Sequence, residues 1–587
     1  MKDKKQIQER IRPVLQTFPY IFSVQIASKA IIAVWMLLLG KVFQALLKSS
    51  GRVAVTSGDF KFLFTSWQGI GILLLGLVSL FIYVAFDLNT KIVLSRDLLT
   101  GENASIGRCM KEGFLSVGKL INLQGVIVVL YISLIAPILG VGLSISLTQG
   151  LYIPTFITAV IKSSVLYSAL AGVVVLLFLS GGIANLFILH GIVIDKLTIS
   201  KAARQSSNLI KANWKDYLKQ NITFILLIAG VLAGIAILFL FLPLKVVSIF
   251  SLNGPISRLL TIFFVTAGVI VSALVALFAM PLYLIKMTQL FFSYKQGQTY
   301  EWKGKAKENH TGRKGVMIVV AVAVLAVVFI INANFDRLFP LDTNVKIIAH
   351  RSGGNEGKEN TLSGLEVARK AGAYGSEIDI QRTRDGHYIL NHDGSFKRVA
   401  GVKRKPQEMT LREIKKLSID GEPVPTFEEM LKASKGKMVL FTELKGKTAD
   451  RKMARDAVRF VKKYHMEKEC VLVSLKYDLI DYIETRYPEI QTGFLTFASF
   501  GKTAALNCDY IGLEEESATR DAIRSIHREG KKVLVWTANE KGSQKFFLCT
   551  KADGIITDNI SQAVKIASDL NKRSDLDRII DKVKTVI

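Results

Sequence analysis

The chain has 587 residues and a formal net charge of +28, with half of its residues hydrophobic; this length argues against a single domain. Its four cysteines, Cys109, Cys470, Cys508 and Cys549, show no metal-like spacing and are too few for a disulfide framework. The basic excess comes without zinc-finger spacing or RNA-binding aromatic motifs. It crowds between apolar runs, which favours anionic lipid and cytoplasmic loops over nucleic acid.

The first stretch, "MKDKKQIQERIRPVLQTFPY", is basic, and the apolar segment after it is longer than a signal-peptide core. It reads as a retained first span. A span needs about 20 apolar residues. Candidates are 22–47, 64–86, 121–147, 164–195, 221–244, 259–285 and 315–333. The fourth is preceded by "YIPTFITAVIK", an interfacial piece that would make an eighth span if it crossed.

Charge separates the two counts. With seven spans, Lys and Arg number 23 on the N-terminal side and 6 on the other. The basic side is normally cytoplasmic, so the N-terminus is expected inside and everything after residue 333 outside the cytoplasm. Two of the basic loops, "ASIGRCMKEGFLSVGKLI" and "LTISKAARQSSNLIKANW", have near-helical apolar spacing and read as amphipathic surface helices, in one reading a duplicated unit. His190 reads as a packed or interfacial residue, and Lys29 and Lys41 as snorkelling or helix-facing. No chain of ionisable groups runs through the spans.

From residue 344 the pattern changes to short apolar runs separated by amphipathic stretches. The runs are "KIIAH", "SEIDI", "YILNH", "MVLFTEL", "CVLVSL", "TGFLT", "DYIGLE", "VLVWT" and "DGIIT". Strands alternating with helices imply a parallel sheet. Nine runs suit a (β/α)8 TIM barrel in which one run is miscounted or is a hairpin arm; an open doubly wound sheet is the alternative. The expected layout is therefore a multi-span all-α membrane domain over 1–333, a linker over 334–343 and a barrel over 344–587.

Barrel active sites lie at the C-terminal ends of the strands. The first run ends in His350 and Arg351, the second carries Glu377 and Asp379, the third ends in His392, the fourth reaches Glu443 and Lys445, and the eighth ends at Trp536. Glu377 and Asp379 are two apart on a strand and share a face. Two such carboxylates with Glu443 suit one divalent cation held by oxygen, Mg²⁺ or Ca²⁺; salt bridges to nearby Lys or Arg are the bland alternative. His350 and His392 are the candidates for proton transfer in phosphodiester hydrolysis. Arg351 and Lys445 offer charge to phosphate oxygens. His387 reads as part of the lead-in turn, and His465 and His527 as surface residues.

With these residues in place the second half resembles the glycerophosphodiester phosphodiesterase family. The blocks that carry the likeness are His350-Arg351 with "ENT" nine residues later, "EIDIQRTRDGHYILNHD", "VPTFEEML", "FTELKGK", "VLVWTANE" and "DGIITDN", across 344–565. The first half looks like the membrane domain that accompanies some bacterial members. The resemblance implies a TIM barrel that hydrolyses glycerophosphodiesters to sn-glycerol 3-phosphate and an alcohol. It implies a metal at Glu377, Asp379 and Glu443 and acid–base roles for His350 and His392. It also implies that Glu359 and Asn360 brace the loop or touch the glycerol end, and that Trp536 stacks on glycerol. Ser352 replaces the family's usual Gly, and Lys358 stands where a Pro normally precedes "ENT". Only about 30 residues separate His392 from "VPTFEE", leaving little room for the family's large insertion. Rival readings are a lysophospholipase D or phospholipase C-like diesterase on the same barrel, and a non-catalytic phosphodiester sensor or transporter. Substrate and membrane lipids are the expected partners; no protein partner is legible.

Overall fold

The computed structural model describes residues 2–129, 161–249, 254–297, 322–339 and 344–584, apart from 58, 59, 103, 123, 162, 163 and 323. It divides into two compact units. One is helical and includes Met1–Val42 and most of the chain from Gly71 to Leu338; the other joins Phe43–Ile70 to Phe339–Ile587.

Among the described residues of the first unit, four helices are long and apolar enough to cross a membrane: Phe18–Ser49, Trp67–Thr100, Ile199–Val247 and Pro255–Gln296. They match four of the seven expected spans, the second starting at Trp67 because residues 64–65 belong to a separate short helix, Phe60–Thr65. The 164–195 stretch is a helix over Val165–Ala184 followed by a short one over Ile188–Val193. Most of the 121–147 span, and the piece before residue 164, lie outside the described residues.

One expected surface helix is not separate. Residues Ile199–Ala236 form one helix, bent where Asn213 leaves helical angles (φ −124°, ψ 21°). No Gly or Pro interrupts 199–229, so nothing in the sequence stops the helix before the span begins. The other, Ile106–Gly118, is a distinct helix capped by Ser105, whose hydroxyl accepts from the Arg108 amide at 3.2 Å. Its basic groups meet acids as well as solvent: Glu112 bridges Arg96 and Arg108, both at 2.9 Å.

Buried polarity in this unit gathers near the middle of the second long helix. Asp87 and Lys91 form an i,i+4 ion pair with each side chain 3% exposed. Ser28 donates to Asp87 at 3.2 Å, and Lys29 reaches the Tyr83 hydroxyl at 3.3 Å. His190 packs between Phe187 and Phe291, with Nε2 3.2 Å from the Thr288 hydroxyl. Removing one partner of a buried pair leaves the other uncompensated, at roughly 3–5 kcal/mol. Asp87→Ala should therefore lower the melting temperature of the detergent-solubilised protein sharply. Adding Lys91→Met should restore most of it, and a single variant as stable as the parent would contradict the pairing.

The second unit is a closed barrel of eight parallel strands: Lys346–Ala349, Gly375–Arg382, Val439–Leu444, Cys470–Ser474, Thr492–Thr496, Tyr510–Glu514, Lys532–Trp536 and Gly554–Thr557. Each pairs with the next in sequence, and the eighth closes on the first with Thr557 opposite Ala349. The ninth run, Tyr388–Leu390, is a hairpin arm, antiparallel to the second strand with Leu390 opposite Ile380. Its turn includes Gly386 at φ +84°, and His387 sits in the lead-in as expected.

Alternation sets the two faces. Ile378, Ile380, Leu440 and Leu444 point to the helix-side core. Ile348, Phe441, Val473, Leu495, Leu534 and Ile556 fill the barrel interior. One step beyond this inner layer, toward the C-terminal rim, His350, Glu443 and Asp558 are polar, whereas Leu475, Phe497 and Trp536 are apolar. Residues between the hairpin arm and the third strand build a small cluster of their own from Phe396, Met409, Ile414, Ile419 and Val424, joined by Ile389. The short stretch thus supplies a compact flap despite its length.

Candidate active site

Inward parity places the carboxylates. Glu377 and Asp379 alternate with the outward Ile378 and Ile380, and Asp379 stands directly opposite Glu443 on the neighbouring strand. All three are buried, and one oxygen from each lies within 4.8 Å of the others. Lys445 Nζ is 2.7 Å from Glu443 and 2.9 Å from Asp379. One ammonium against three buried carboxylates leaves an uncompensated charge, which a low-dielectric interior disfavours. Burial, then the neighbouring Asp379, pushes the Glu377 carboxyl up to about 8. Burial and Asp379 also raise Glu443, against the pull of Lys445. Asp379 is held low, the pull of Lys445 overcoming the effect of burial. Such a set of hard oxygen donors fits a divalent cation.

Asn360 fixes Asp379 from two sides. Its Nδ2 donates to Asp379 Oδ2 at 2.9 Å, and its Oδ1 accepts from the Asp379 amide at 3.1 Å. Glu377 Oε2 accepts from the Arg351 amide at 2.9 Å. Glu359 is gripped by Arg398 through two 2.7 Å bonds and touches Arg351 at 3.4 Å. Arg398 also reaches Asp393, at 2.8 Å. Glu359 therefore serves here as a strut between the flap and the Arg351 loop.

The two histidines are oriented alike. His350 Nδ1 lies 2.7 Å from Asp558, and His392 Nδ1 lies 2.8 Å from Asp393. In both rings the carboxylate engages Nδ1 and leaves Nε2 for another partner. Their environments differ. Burial pulls His350 down, but Asp558 and the Glu377 charge outweigh it and leave the ring above its ordinary value. For His392 burial wins over Asp379, and the ring is held below.

Asp558 is not among the groups singled out from the sequence, although "DGIITDN" contains it. The signal was parity: Ile556 points inward, so Asp558 does too, one step beyond the Thr557–Ala349 pair and level with His350. Asn539 completes the support, donating to Asp558 Oδ2 at 2.6 Å and accepting from the Asp558 amide at 2.8 Å. Gly354 (φ +59°) lets this loop close: a Cβ there would stand 2.4 Å from the Asp558 carbonyl oxygen. Trp536 tops the interior beside Gly512, where a Cβ would approach the indole to 3.5 Å.

Ser352 is fully buried at φ +74°, and its amide donates to the Glu377 carbonyl at 2.7 Å. The left-handed conformation costs an L-residue about 1–2 kcal/mol, which is why a glycine suits this position. The serine keeps the fold of the loop at that cost.

Two family models match this chain. The model described as the membrane domain of glycerophosphoryl diester phosphodiesterase covers residues 7–331, more than half of the chain. The chain belongs to that family. The model of the glycerophosphoryl diester phosphodiesterase family covers 350–562, which contains every site residue described above. The Bacillus subtilis protein YhdW, a candidate glycerophosphodiester phosphodiesterase, is 26% identical over 227 residues, 36% of this chain and 93% of the relative. A glycerophosphodiester phosphodiesterase of Caldanaerobacter subterraneus has the same identity and coverage. A solved glycerophosphodiester phosphodiesterase of Parabacteroides distasonis is 25% identical, covering 39% of this chain and 98% of its own, with a TM-score of 0.36. The barrel is thus that of a glycerophosphodiester phosphodiesterase with a membrane domain.

Asp558→Asn keeps the shape but gives up the charge that holds His350. Its kcat should fall roughly 10²-fold, the range for loss of one proton-transfer contribution, with the melting temperature of the protein little changed. A variant with parental kcat would remove Asp558 from the site's support.

Proposed function

We propose that the protein hydrolyses glycerophosphodiesters to sn-glycerol 3-phosphate and an alcohol, with one divalent cation, Mg²⁺ or Ca²⁺, held by Glu377, Asp379 and Glu443. The observation that carries the reading is the convergence of three buried carboxylates with two histidines, each oriented by an aspartate. When bound, the cation supplies positive charge to the phosphate oxygens. Arg351 and Lys445 add theirs, and burial strengthens both. Asn360 keeps Asp379 in position, Glu359 ties Arg351 to the flap, and Trp536 offers an apolar face to glycerol.

The histidines divide the proton traffic. One Nε2 protonates the leaving alkoxide and the other accepts the proton of the attacking water, His350 and His392 forming the acid–base pair. His350→Ala and His392→Ala each remove one of these groups.

We assign the domains as 1–333 membrane-spanning, 334–343 linker and 344–587 catalytic, with the catalytic domain outside the cytoplasm. Two observations support this side. One is the charge asymmetry of 23 to 6. The other is a β-ladder between Ala54–Thr56 and Ser499–Gly501. Residues 54–56 lie in the loop between the first two spans. A ladder to the barrel requires an even number of crossings between the two partners. Six candidate spans, from 64–86 to 315–333, separate them; an extra crossing before residue 164 would make seven.

Chelation should abolish hydrolysis of glycerophosphoethanolamine by the purified full-length protein, and added Mg²⁺ or Ca²⁺ should restore it. Glu377→Gln should remove most activity, because an amide is a poorer ligand for a hard cation. Full activity in chelator with residual metal shown absent would end the metal assignment. For sidedness, Lys468→Cys in a background without the four native cysteines should react with a membrane-impermeant thiol reagent on intact cells. Reaction only after lysis would put the barrel in the cytoplasm.

A further inference from the structure

Residues Phe43–Ile70 run from the end of the first span to the start of the second, yet they belong to the barrel's compact unit. Their contact is built. Val55 is opposite Phe500 in the antiparallel ladder, and the Lys502 amide donates to the Val53 carbonyl at 3.0 Å. The Ser57 and Thr496 hydroxyls are 3.2 Å apart. Phe60 meets Phe497 edge-on, with ring centroids 6.1 Å apart. Gly501, at φ +98°, makes room for the ladder: a Cβ there would stand 2.9 Å from the Val53 carbonyl oxygen and 3.1 Å from the Ala54 Cα.

The place of this contact matters. Thr496 ends the fifth strand, and Phe497 follows it onto the rim that carries the active site. Thr496 is opposite Leu513, and the next residue, Glu514, is opposite Trp536. Phe497 is therefore level with Trp536. The fifth strand stands four strands from the first, across the barrel from His350. The added segment thus walls the apolar side of the mouth, opposite the charged side. The segment then enters the second span, with Phe64 just before it and Trp67 at its start 69% and 68% exposed. Arg52 lies over the Phe62 ring at 4.7 Å. A short water-soluble phosphodiester has no use for such an apolar lip, but a phosphodiester with a hydrocarbon chain does.

We propose that the 51–66 segment is a specificity wall that takes the acyl chain of a monoacyl glycerophosphodiester. This rests on the phosphodiesterase reading above and names its substrate class. The reaction is unchanged: water adds across the bond between phosphorus and the headgroup oxygen, its hydroxyl going to phosphorus and its proton to the leaving alcohol. The glycerol phosphate product then keeps its acyl chain. Phe60 and Phe497 are specificity-determining residues and take no part in bond breaking.

The test compares lysophosphatidylethanolamine with glycerophosphoethanolamine, which differ by the acyl chain alone, using the full-length protein in nanodiscs. The parent should prefer the acylated compound by at least about tenfold in kcat/KM, the scale for burying part of a hydrocarbon chain. Phe60→Ser and Gly501→Val should each raise KM for the acylated compound about tenfold while turnover of the deacylated one stays within about twofold. Cysteines at Thr56 and Ser499, opposite each other in the ladder, should crosslink on oxidation in a background without the native cysteines, and the locked protein should keep the preference. The proposal is overturned if the parent prefers the deacylated compound, if the variants slow both compounds equally, if they change neither, or if no crosslink forms. Hydrolysis of the deacylated compound alone would leave the phosphodiesterase reading standing without the wall; hydrolysis of neither would remove both.

Discussion

Three carboxylates on adjoining strands cannot all remain charged in a buried site without positive charge among them, and most of the barrel's local structure answers that constraint. Asp379 and Glu443 face each other across one strand pair, and Glu377 completes the set. Lys445 spans two of them, and Asn360 and the Arg351 amide each hold one further oxygen, on Asp379 and Glu377. Arranging the acids this closely has a steep electrostatic cost, visible in a Glu377 carboxyl pushed up to about 8. Titratable groups perturbed this strongly cluster at functional sites. Asp558 and Glu377 together outweigh burial and hold His350 above its ordinary value, so the acidic set and this ring are electrostatically one device.

The supports of this device come from far along the chain. Asp558 lies 208 residues beyond His350 and is brought to it only by barrel closure. Arg398 comes from the flap after the hairpin arm and grips both Glu359 and Asp393. The flap has its own apolar cluster, which lets an exposed arginine hold a fixed position. Disturbing the flap core should therefore act on His392 and on Arg351 together, through two carboxylates that share one guanidinium.

What could be read from sequence follows from this geometry. Glu377, Asp379 and Glu443 were legible because strand alternation is strict: the first two are two apart on one run and share a face, and Glu443 is near the end of another. The barrel was legible for the same reason, and the surplus ninth run proved to be the Tyr388–Leu390 arm, whose Asp-Gly turn marks a hairpin. Asp558 was missed although parity with Ile556 would have pointed to it. Arg398 carried no signal at all: it follows a buried Phe396 in a stretch with neither strand nor helix period. The long helix from Ile199 was divided too early because a basic amphipathic stretch and an apolar span differ in composition without any breaker between them.

The helical half asks for more than anchoring. One span of about 20 residues suffices to hold a domain at a membrane, whereas this unit has four long apolar helices among the described residues and keeps an Asp87–Lys91 pair out of solvent. A buried pair is a poor source of stability compared with apolar packing. In some proteins such a pair instead specifies one packing. The loop after the first span gives one reason for such specification. A ladder of three residue pairs is too short to be stable by itself. It becomes favourable if both ends of the loop are already fixed, because the entropy of closing it has then been met elsewhere. The two flanking helices provide those fixed ends, Phe18–Ser49 on one side and Trp67–Thr100 on the other. Within the barrel's own unit the ladder is joined by the Ser57–Thr496 hydroxyl contact and the Phe60–Phe497 ring pair, so several short contacts share the cost of ordering one loop.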